Sequence, residues 1–327
     1  MIPLSVLDLA PIAEGSDAGI ALGNARNLAQ AAERLGYHRF WMAEHHSMPG
    51  IASAATAVVL AHVAGGTSTI RVGAGGIMLP NHSPLQVAEQ FGTLAALFPG
   101  RIDLGLGRAP GTDQAAAYAM RRNLAADVGQ FPRDVVELQS YFRPAEPGQR
   151  VIAVPGEGLD VPLWILGSST FGAELAAELG LPYAFASHFA PQQMMEAIAL
   201  YRERFKPSAQ LAEPYVMLGF NVFAADSDEE GELLATSLMQ AFVALRSGNP
   251  GKLKPPLAGY VDSLPLEFRA MLRSVLSSSA IGSPATVRAA TEAFIARTGA
   301  DELMVTSQIF DHDARLRSYQ LLAEAVA

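Results

Sequence analysis

Short apolar or β-branched runs alternate with longer Ala- and Leu-rich segments of helical spacing, and this alternation restricts the possible folds more than any other feature of the chain. About eight strand–helix pairs follow one another. The predicted strands cover residues 4–9, 39–42, 69–76, 102–106, 163–166, 182–187, 215–225 and 302–307. Because such units give parallel strands, the pattern predicts an α/β fold, a (β/α)8 TIM barrel rather than a doubly wound sheet.

The predicted helices lie at residues 19–35, 53–64, 85–97, 173–179, 192–205, 226–245 and 313–325, with a further helix opening at Ser283 and Pro284. Residues 111–141 read as a mixture of helix and loop. Two Gly- and Pro-rich insertions are predicted near residues 143–162 and 248–282, the second beginning with a mobile loop. No linker or shift in composition divides the chain, so we expect a single barrel domain over residues 1–327.

Composition limits the classes of partner. Half of the 327 residues are hydrophobic and 17% are charged, so the chain can bury a large core. Its formal net charge of -9 opposes binding to nucleic acid or to an anionic membrane surface. The absence of cysteine excludes disulfides, thiolate nucleophiles and cysteine metal ligands. The sequence shows neither a targeting segment nor an apolar run long enough to span a membrane, so we expect a cytoplasmic protein.

The second predicted strand ends in Glu44, His45 and His46, although the chain has only seven histidines. Adjacent side chains on an extended backbone point in opposite directions, so the two histidines are poor joint ligands for one metal ion. They could instead supply one catalytic group and one support, and the alternative is that both only form hydrogen bonds in a loop. No histidine pair shows a tight metal-ligand spacing, so we expect no metal site.

The next two strand ends are rich in glycine. The tip of the third, which includes Gly75 and Gly76, favours either close approach of a flat ligand or steric relief at a crowded barrel rim. Arg108 follows the fourth strand between glycines, where it could bind a phosphate or carboxylate or form a surface ion pair. The surrounding glycines have the spacing Gly-x-Gly-x-x-x-Gly, so a dinucleotide-binding fingerprint is rejected.

The fifth strand leads directly into a helix through Ser168, Ser169 and Gly172. Small residues at a helix N-terminus can bind an anion with free N–H groups, and ordinary capping is the alternative. A hydrolase nucleophile elbow would require Gly-x-Ser-x-Gly, but residue 171 is Phe. A serine nucleophile is therefore rejected.

Several segments together resemble the bacterial luciferase-like flavin monooxygenases. They are GYHRFWMAEHHSMPG, TIRVGAGGIMLPNHSPLQVAEQFGTLAALFPGRIDLGLGRAPG, WILGSSTFGAELAAELGLPYAFASHF and the C-terminal GSPATVRAATEAF and ADELMVTSQIFDHDARLRSYQLLAEA. The resemblance covers roughly three quarters of the chain. One departure is Ser168, where luciferase itself has an acidic residue.

The resemblance implies a barrel that binds reduced FMN at the C-terminal ends of its strands. His45 would lie near the flavin and assist formation or breakdown of its oxygen adduct, with Glu44 as a neighbouring support. The bond between Gly75 and Gly76 would be a cis peptide against the flavin ring. Arg108 and the helix start at Ser168, Ser169 and Gly172 would bind the FMN phosphate.

The resemblance also implies a reaction. We expect a monooxygenase that receives reduced FMN from a separate flavin reductase, uses O2 through a C4a-peroxyflavin and oxygenates a small, apolar organic substrate. A homodimer is expected, with the helix at residues 53–64 offering an apolar face. Two alternatives stay open: a hydride-transferring oxidoreductase that uses a deazaflavin or FMN, and a non-catalytic flavin-binding protein.

Overall fold

The computed structural model describes residues 2–108, 119–120 and 128–326. Its strands are β1 (Leu4–Asp8), β2 (Arg39–Met42), β3 (Arg71–Met78), β4 (Ile102–Gly107), β5 (Leu163–Gly167), β6 (Tyr183–Phe185), β7 (Val216–Ala224), β8 (Ser279–Gly282) and β9 (Glu302–Thr306). All pair in parallel, and β1 to β7 with β9 close into a barrel because β6 bonds to β7 and β9 bonds to both β7 and β1. The predicted (β/α)8 fold is confirmed.

The sequence pattern missed one strand, β8 (Ser279–Gly282), which had been placed inside the insertion near 248–282. This strand pairs with the outer end of β7, with Ala224 opposite Gly282, and lies outside the closed barrel. Its four residues begin with the last of three consecutive serines and show no apolar alternation, so they carry almost no strand signal. The strand forms because β6 pairs only with the first residues of β7, so the same edge of β7 is free from Asn221 to Ala224.

The described helices are α1 (Ala18–Arg34), α2 (Thr56–Ala64), α3 (Pro84–Leu97), α4 (Phe131–Tyr141), α5 (Thr170–Leu179), α6 (Met194–Arg204), α7 (Asp228–Arg246), α8 (Tyr260–Ser263), α9 (Leu266–Val275), α10 (Pro284–Thr298) and α11 (His312–Val326). In the predicted mixed segment 111–141, residues 111–118 and 121–127 lie outside the described residues, and the described remainder contains α4. The apolar faces of the helices cover the outer surface of the barrel, where they form the main core. Within the described ranges, no helix is long and apolar enough to cross a membrane.

A buried polar network fills the N-terminal end of the barrel. Arg39 on β2 lies 2.8 Å from Asp103 on β4 and forms a two-point contact with Glu302 on β9, at 2.8 and 3.2 Å. The hydroxyl groups of Ser5 and Tyr215 also donate to Glu302. Each of these buried charges therefore has a counter-charge and hydrogen bonds. This network closes the N-terminal end of the barrel.

An apolar layer lies above this network. The rings of Trp41 and Trp164 pack edge to face with centroids 5.2 Å apart, and Met217 and Met304 belong to the same inward-facing cluster. A Cβ atom at Gly73 would lie 2.7 Å from Trp41 Nε1, closer than real Cβ contacts allow. Steric relief, one of the two interpretations of the glycine-rich tip of β3, therefore explains Gly73. We call this set of aromatic and methionine side chains the Trp–Met layer.

The two predicted insertions differ in structure. Residues 143–162, all described, contain turns but no regular helix or strand, whereas residues 248–282 contain α8, α9 and β8. The segment expected to be a mobile loop is anchored to the loop after β1, because Leu253 donates to Ile12 O and accepts from Glu14 N at 2.9 and 2.8 Å. Gly251 also contacts the loop after β2, since a Cβ at Gly50 would lie 2.1 Å from its carbonyl oxygen.

Candidate active site

Glu44 follows β2 and is almost fully buried, with 1% of its surface exposed. Its Oε1 atom lies 2.6 Å from His46 Nε2 and 2.8 Å from His82 Nε2. Its Oε2 atom accepts a 3.0 Å hydrogen bond from the backbone N–H of Met78, the last residue of β3. Glu44 therefore joins the C-terminal ends of two strands and holds two imidazole rings.

The Glu44 carboxyl is ionised in this cluster. Burial raises its pKa, but hydrogen bonds from His82, His46 and the Met78 N–H outweigh burial and hold the pKa below its ordinary value. Because a carboxylate only accepts hydrogen bonds, the Nε2 atoms of His46 and His82 both carry protons. We call these three residues, Glu44, His46 and His82, the carboxylate–histidine cluster.

The carboxylate–histidine cluster also bears on the expected absence of a metal site. One ligand atom from each of Glu44, His46 and His82 lies within 4.8 Å of the others, close enough to hold a metal ion. The sequence spacing could not show this, because His82 approaches Glu44 only through the fold. A metal ion would have to displace both Nε2 protons from their hydrogen bonds to Glu44. We therefore keep the prediction that the cluster works without a metal ion.

His45 continues the inward parity of Arg39 and Trp41 on β2 and of Ala43 directly after it, and so lies on the opposite side from Glu44. Its Nδ1 atom is buried and has no hydrogen-bond partner among the described residues. Burial lowers the pKa of His45, so the imidazole is neutral near pH 7. A neutral ring with an open nitrogen at the barrel mouth can donate or accept a proton.

The peptide bond between Gly75 and Gly76 is cis, as the family resemblance implies. A Cβ at Gly75 would lie 2.9 Å from Leu7 Cδ1, and one at Gly76 would lie 2.6 Å from the carbonyl oxygen of Gly105. A side chain at Gly76 is therefore excluded by fixed backbone, whereas one at Gly75 would have to displace the end of the Leu7 side chain. Contact of this segment with a flat ligand stays a prediction.

Arg108 directly follows β4 and is exposed. The carbon of its guanidinium group lies 4.0 Å from the centroid of the Phe171 ring, in the first turn of α5. Ser169 lies directly before the first helical residue and is the N-cap of this helix. In the described structure its side chain makes no capping hydrogen bond. Arg108 and the start of α5, which has open N–H groups, are therefore next to each other, as predicted.

The turn that starts α5 is held from the adjacent strand. The hydroxyl of Tyr183 on β6 donates a 3.0 Å hydrogen bond to the carbonyl oxygen of Ser169. A Cβ at Gly172 would lie 3.3 Å from Tyr183 Cε2, so glycine lets the tyrosine ring approach the turn. Ser168 lies between the end of β5 and this N-cap. Phosphate contacts from these residues stay a prediction.

The predicted site residues form a continuous rim at the C-terminal ends of β2 to β5. Glu44 bonds to Met78 at the end of β3, and the sulfur of Met78 would contact a Cβ at Gly107, the last residue of β4. Arg108 then reaches Phe171 at the start of α5. In TIM barrels this end carries the active site.

The sequence of this rim and of the barrel below it matches a described family. A family model named luciferase-like monooxygenase matches residues 2–302. The chain belongs to the luciferase-like monooxygenase family. The family resemblance noted in the sequence is therefore confirmed, and membership supports an oxidoreductase role of the monooxygenase type.

Relatives of this luciferase-like protein cover between three quarters and nearly all of its length. A protein of Escherichia coli strain K12 named luciferase-like monooxygenase is 52% identical over 320 residues, which are 98% of this chain and 96% of the relative. The N-acetyl-S-alkylcysteine monooxygenase of Bacillus subtilis strain 168 is 38% identical over 76% of this chain and 75% of its own. The crystal structure of apo-MsnO8 has a TM-score of 0.92 at 38% identity, covering 99% of this chain and 98% of the other.

Sequence reasoning missed three residues at this end of the luciferase-like barrel: His82, His188 and Thr306. His82 joins Glu44 across the loop after β3. His188 and Thr306 stand at the ends of β6 and β9 and each has a buried polar atom without a partner in the described structure. Their positions at or shortly after a strand end were the available signal, but His188 was considered only for metal spacing.

Proposed function

We propose that this protein is a flavin-dependent monooxygenase that receives reduced FMN from a separate reductase and transfers one oxygen atom of O2 to a small organic substrate. The contact of Arg108 with the uncapped start of α5 carries this proposal. A guanidinium and a set of open backbone N–H groups suit a phosphate dianion.

The residues present also suit the rest of a flavin. From the phosphate end, the rim continues through Gly76 and Gly75, whose bare backbone leaves a surface for a flat ring. His45 places an open, neutral nitrogen at the same end of the barrel. When bound, reduced FMN supplies the two electrons with which O2 yields one oxygen atom to the substrate and one molecule of water.

The protein's own groups then have separate roles. Arg108 and the α5 turn bind and orient the flavin phosphate. His45 holds or moves a proton at Nδ1, and Glu44 fixes the loop that carries His45 by binding His46, His82 and the end of β3. The segment around Leu253 covers the loops after β1 and β2, where it can limit the access of water.

The separate reductase is inferred from the sequence, because it lacks a dinucleotide-binding fingerprint and the protein therefore needs reduced flavin from elsewhere. A homodimer also stays part of the proposal. The helix that was expected to offer an apolar face, α2, exposes 70% of Val58. Sedimentation velocity with a Val58→Lys variant tests that face.

The experiment is a fluorescence titration of the purified protein with FMN, riboflavin and a deazaflavin, followed by oxygen uptake with FMN reduced by an added reductase. We expect FMN to bind more tightly than riboflavin and oxygen uptake to depend on a substrate. Preferred binding of the deazaflavin without oxygen uptake would favour the hydride-transfer alternative. Absence of flavin binding would overturn the proposal.

A further inference from the structure

Three polar atoms at the barrel mouth are buried and lack a hydrogen-bond partner within the described part of the chain: His45 Nδ1, His188 Nδ1 and Thr306 Oγ1. His45 follows β2, His188 follows β6 and Thr306 ends β9, so all three lie at C-terminal strand ends. A buried polar group without a partner costs about 1–3 kcal/mol. Three such atoms at the substrate-binding end of a TIM barrel indicate groups that a ligand completes.

The backbone of β7 fixes the position of His188. Gly219 faces inward like Met217, and a Cβ there would lie 2.0 Å from His188 Nδ1, so the imidazole fills the space of a side chain at residue 219. The Ser187 hydroxyl donates a 2.6 Å hydrogen bond to Gly219 O, and Asn221 Nδ2 donates a 2.9 Å bond to His188 O. The loop is thus attached to β7 on both sides of the ring.

Thr306 lies beside this loop. Asn221 on β7 is paired in register with Thr306 on β9 and also holds the His188 carbonyl oxygen. Thr306 has the inward parity of Glu302 and Met304, so its hydroxyl belongs to the same inner surface of the mouth. His188 and Thr306 therefore flank one short stretch of the rim.

The surface beneath these polar atoms is apolar. Trp41, Trp164, Met217 and Met304 form the Trp–Met layer described above. The guanidinium carbon of Arg39 lies 4.8 Å from the Trp164 ring centroid, and the nitrogens of this group are paired with Asp103 and Glu302. A ligand above the layer meets apolar side chains below and hydrogen-bonding groups at the rim.

The imidazoles of His45 and His188 carry no charge near neutral pH. Burial, and to a smaller extent the charge of His45, lower the pKa of His188 from 6.5 to about 4. Burial likewise lowers the pKa of His45. The two rings therefore offer hydrogen bonds without the positive charge that would attract a carboxylate.

We propose that His188, with His45 and Thr306, forms the polar anchor of the substrate site and that this anchor takes an uncharged oxygen group, a carbonyl or a hydroxyl, on an otherwise apolar molecule. The apolar part of the ligand packs on the Trp–Met layer. This inference deepens the proposed function. It rests on that function in one respect, that the bound ligand is the molecule that is oxygenated. The binding itself requires no flavin.

The test compares three probes of similar size: 2-heptanone, 2-heptanol and heptanoate. Each is titrated at pH 7.5 into the FMN-loaded protein, and the imidazole signals of isotope-labelled histidine are followed by NMR. The His188 signal is the one that is absent from His188→Gln. We expect the ketone or the alcohol to move this signal and to bind roughly tenfold more tightly than heptanoate, because His45, His188 and Thr306 offer a carboxylate no positive charge. The tighter of the two identifies a carbonyl or a hydroxyl as the preferred group.

His188→Phe keeps a ring but removes both ring nitrogens, and we expect it to weaken binding of the better probe roughly tenfold or more. His62→Gln on the exposed face of α2 is the matched control and should bind like wild type. Equal or tighter binding of heptanoate, unchanged affinity in a folded His188→Phe protein, or binding of none of the probes would overturn the inference. If wild type fails to bind FMN, the proposed function fails separately, and the same titration of the flavin-free protein still decides the role of His188.

Discussion

The guanidinium carbon of Arg108 lies 4.0 Å from the centre of the Phe171 ring, so the side chain after β4 covers the first turn of α5. This places a fixed cation beside the open N–H groups of a helix start. The two features come from different strands, and their contact gives the rim a strong candidate for holding a phosphate.

Replacing Arg108 with Met should weaken FMN binding by roughly ten- to a hundredfold, because a charge-assisted hydrogen bond contributes about 1.5–3 kcal/mol. Riboflavin has no phosphate, so its affinity should change little. Fluorescence titration of both flavins with both proteins gives the comparison. An equal loss for riboflavin and FMN would show that Arg108 does not act on the phosphate.

A side chain at Gly73 should destabilise the protein. In Gly73→Ala the new Cβ would lie 2.7 Å from both Asp103 and Trp41 Nε1, and overpacking of this kind costs about 1–3 kcal/mol. Gly23→Ala is the control, because no described atom lies within 4 Å of its added Cβ and alanine favours a helix by up to about 1 kcal/mol. Urea unfolding followed by circular dichroism measures both, and equal stability of the two variants would contradict the packing account.

Protein stability should fall with acid through His188 between about pH 6.5 and pH 4. The pKa of His188 is lowered in the folded state, so its stabilising effect is present above the ordinary value of 6.5 and is lost as pH falls toward about 4. One pKa unit corresponds to about 1.4 kcal/mol, so this loss can reach about 3 kcal/mol. The facing groups are His45 and, next to it, Glu44 and His46.

The measurement for this pH effect is the free energy of unfolding of wild type and His188→Gln at several pH values. The variant cannot titrate at this position. Between pH 6.5 and pH 4 its free energy of unfolding should therefore fall by up to about 3 kcal/mol less than that of wild type. Parallel pH curves for the two proteins would show that His188 is not held neutral by the fold.

The carboxylate–histidine cluster should need no metal. Dialysis against EDTA is expected to leave oxygen uptake unchanged, because the Nε2 protons of His46 and His82 already satisfy Glu44. Glu44→Gln, by contrast, should lower the free energy of unfolding by about 1–3 kcal/mol, since an amide cannot accept from both imidazoles and from Met78 N–H. Stoichiometric zinc in the purified protein, with loss of activity on its removal, would refute the metal-free account.

The barrel could be predicted because its strands are buried apolar runs with clear ends. β2 was placed at residues 39–42, as observed, between a glycine-capped helix and a polar turn. β8 could not be found in this way, because its pairing depends on the free outer edge of β7 and its own residues are mostly small. Local pattern therefore identified strands that bury their own apolar side chains, and missed the one that depends on a neighbour.

Some residues of the candidate site could be predicted from the sequence and others could not, for a similar reason. Glu44 and His45 follow directly from their place after a strand, and the alternation along β2 already separates their directions. The contact of His82 with Glu44 depends on the path of the loop after β3, and the position of His188 depends on the bare backbone of Gly219. Such contacts between distant segments produce no recognisable residue spacing in the sequence.

The central claim is oxygen activation on a flavin beside His45, and rapid mixing of the FMN-loaded, reduced protein with O2 tests it most directly. In wild type we expect reoxidation through a transient whose absorbance differs from both reduced and oxidised FMN. In His45→Ala this transient should be lost or shortened, while FMN affinity measured in parallel stays within about threefold. Identical traces for the two proteins, or reoxidation in wild type at the rate of free FMN, would contradict the account.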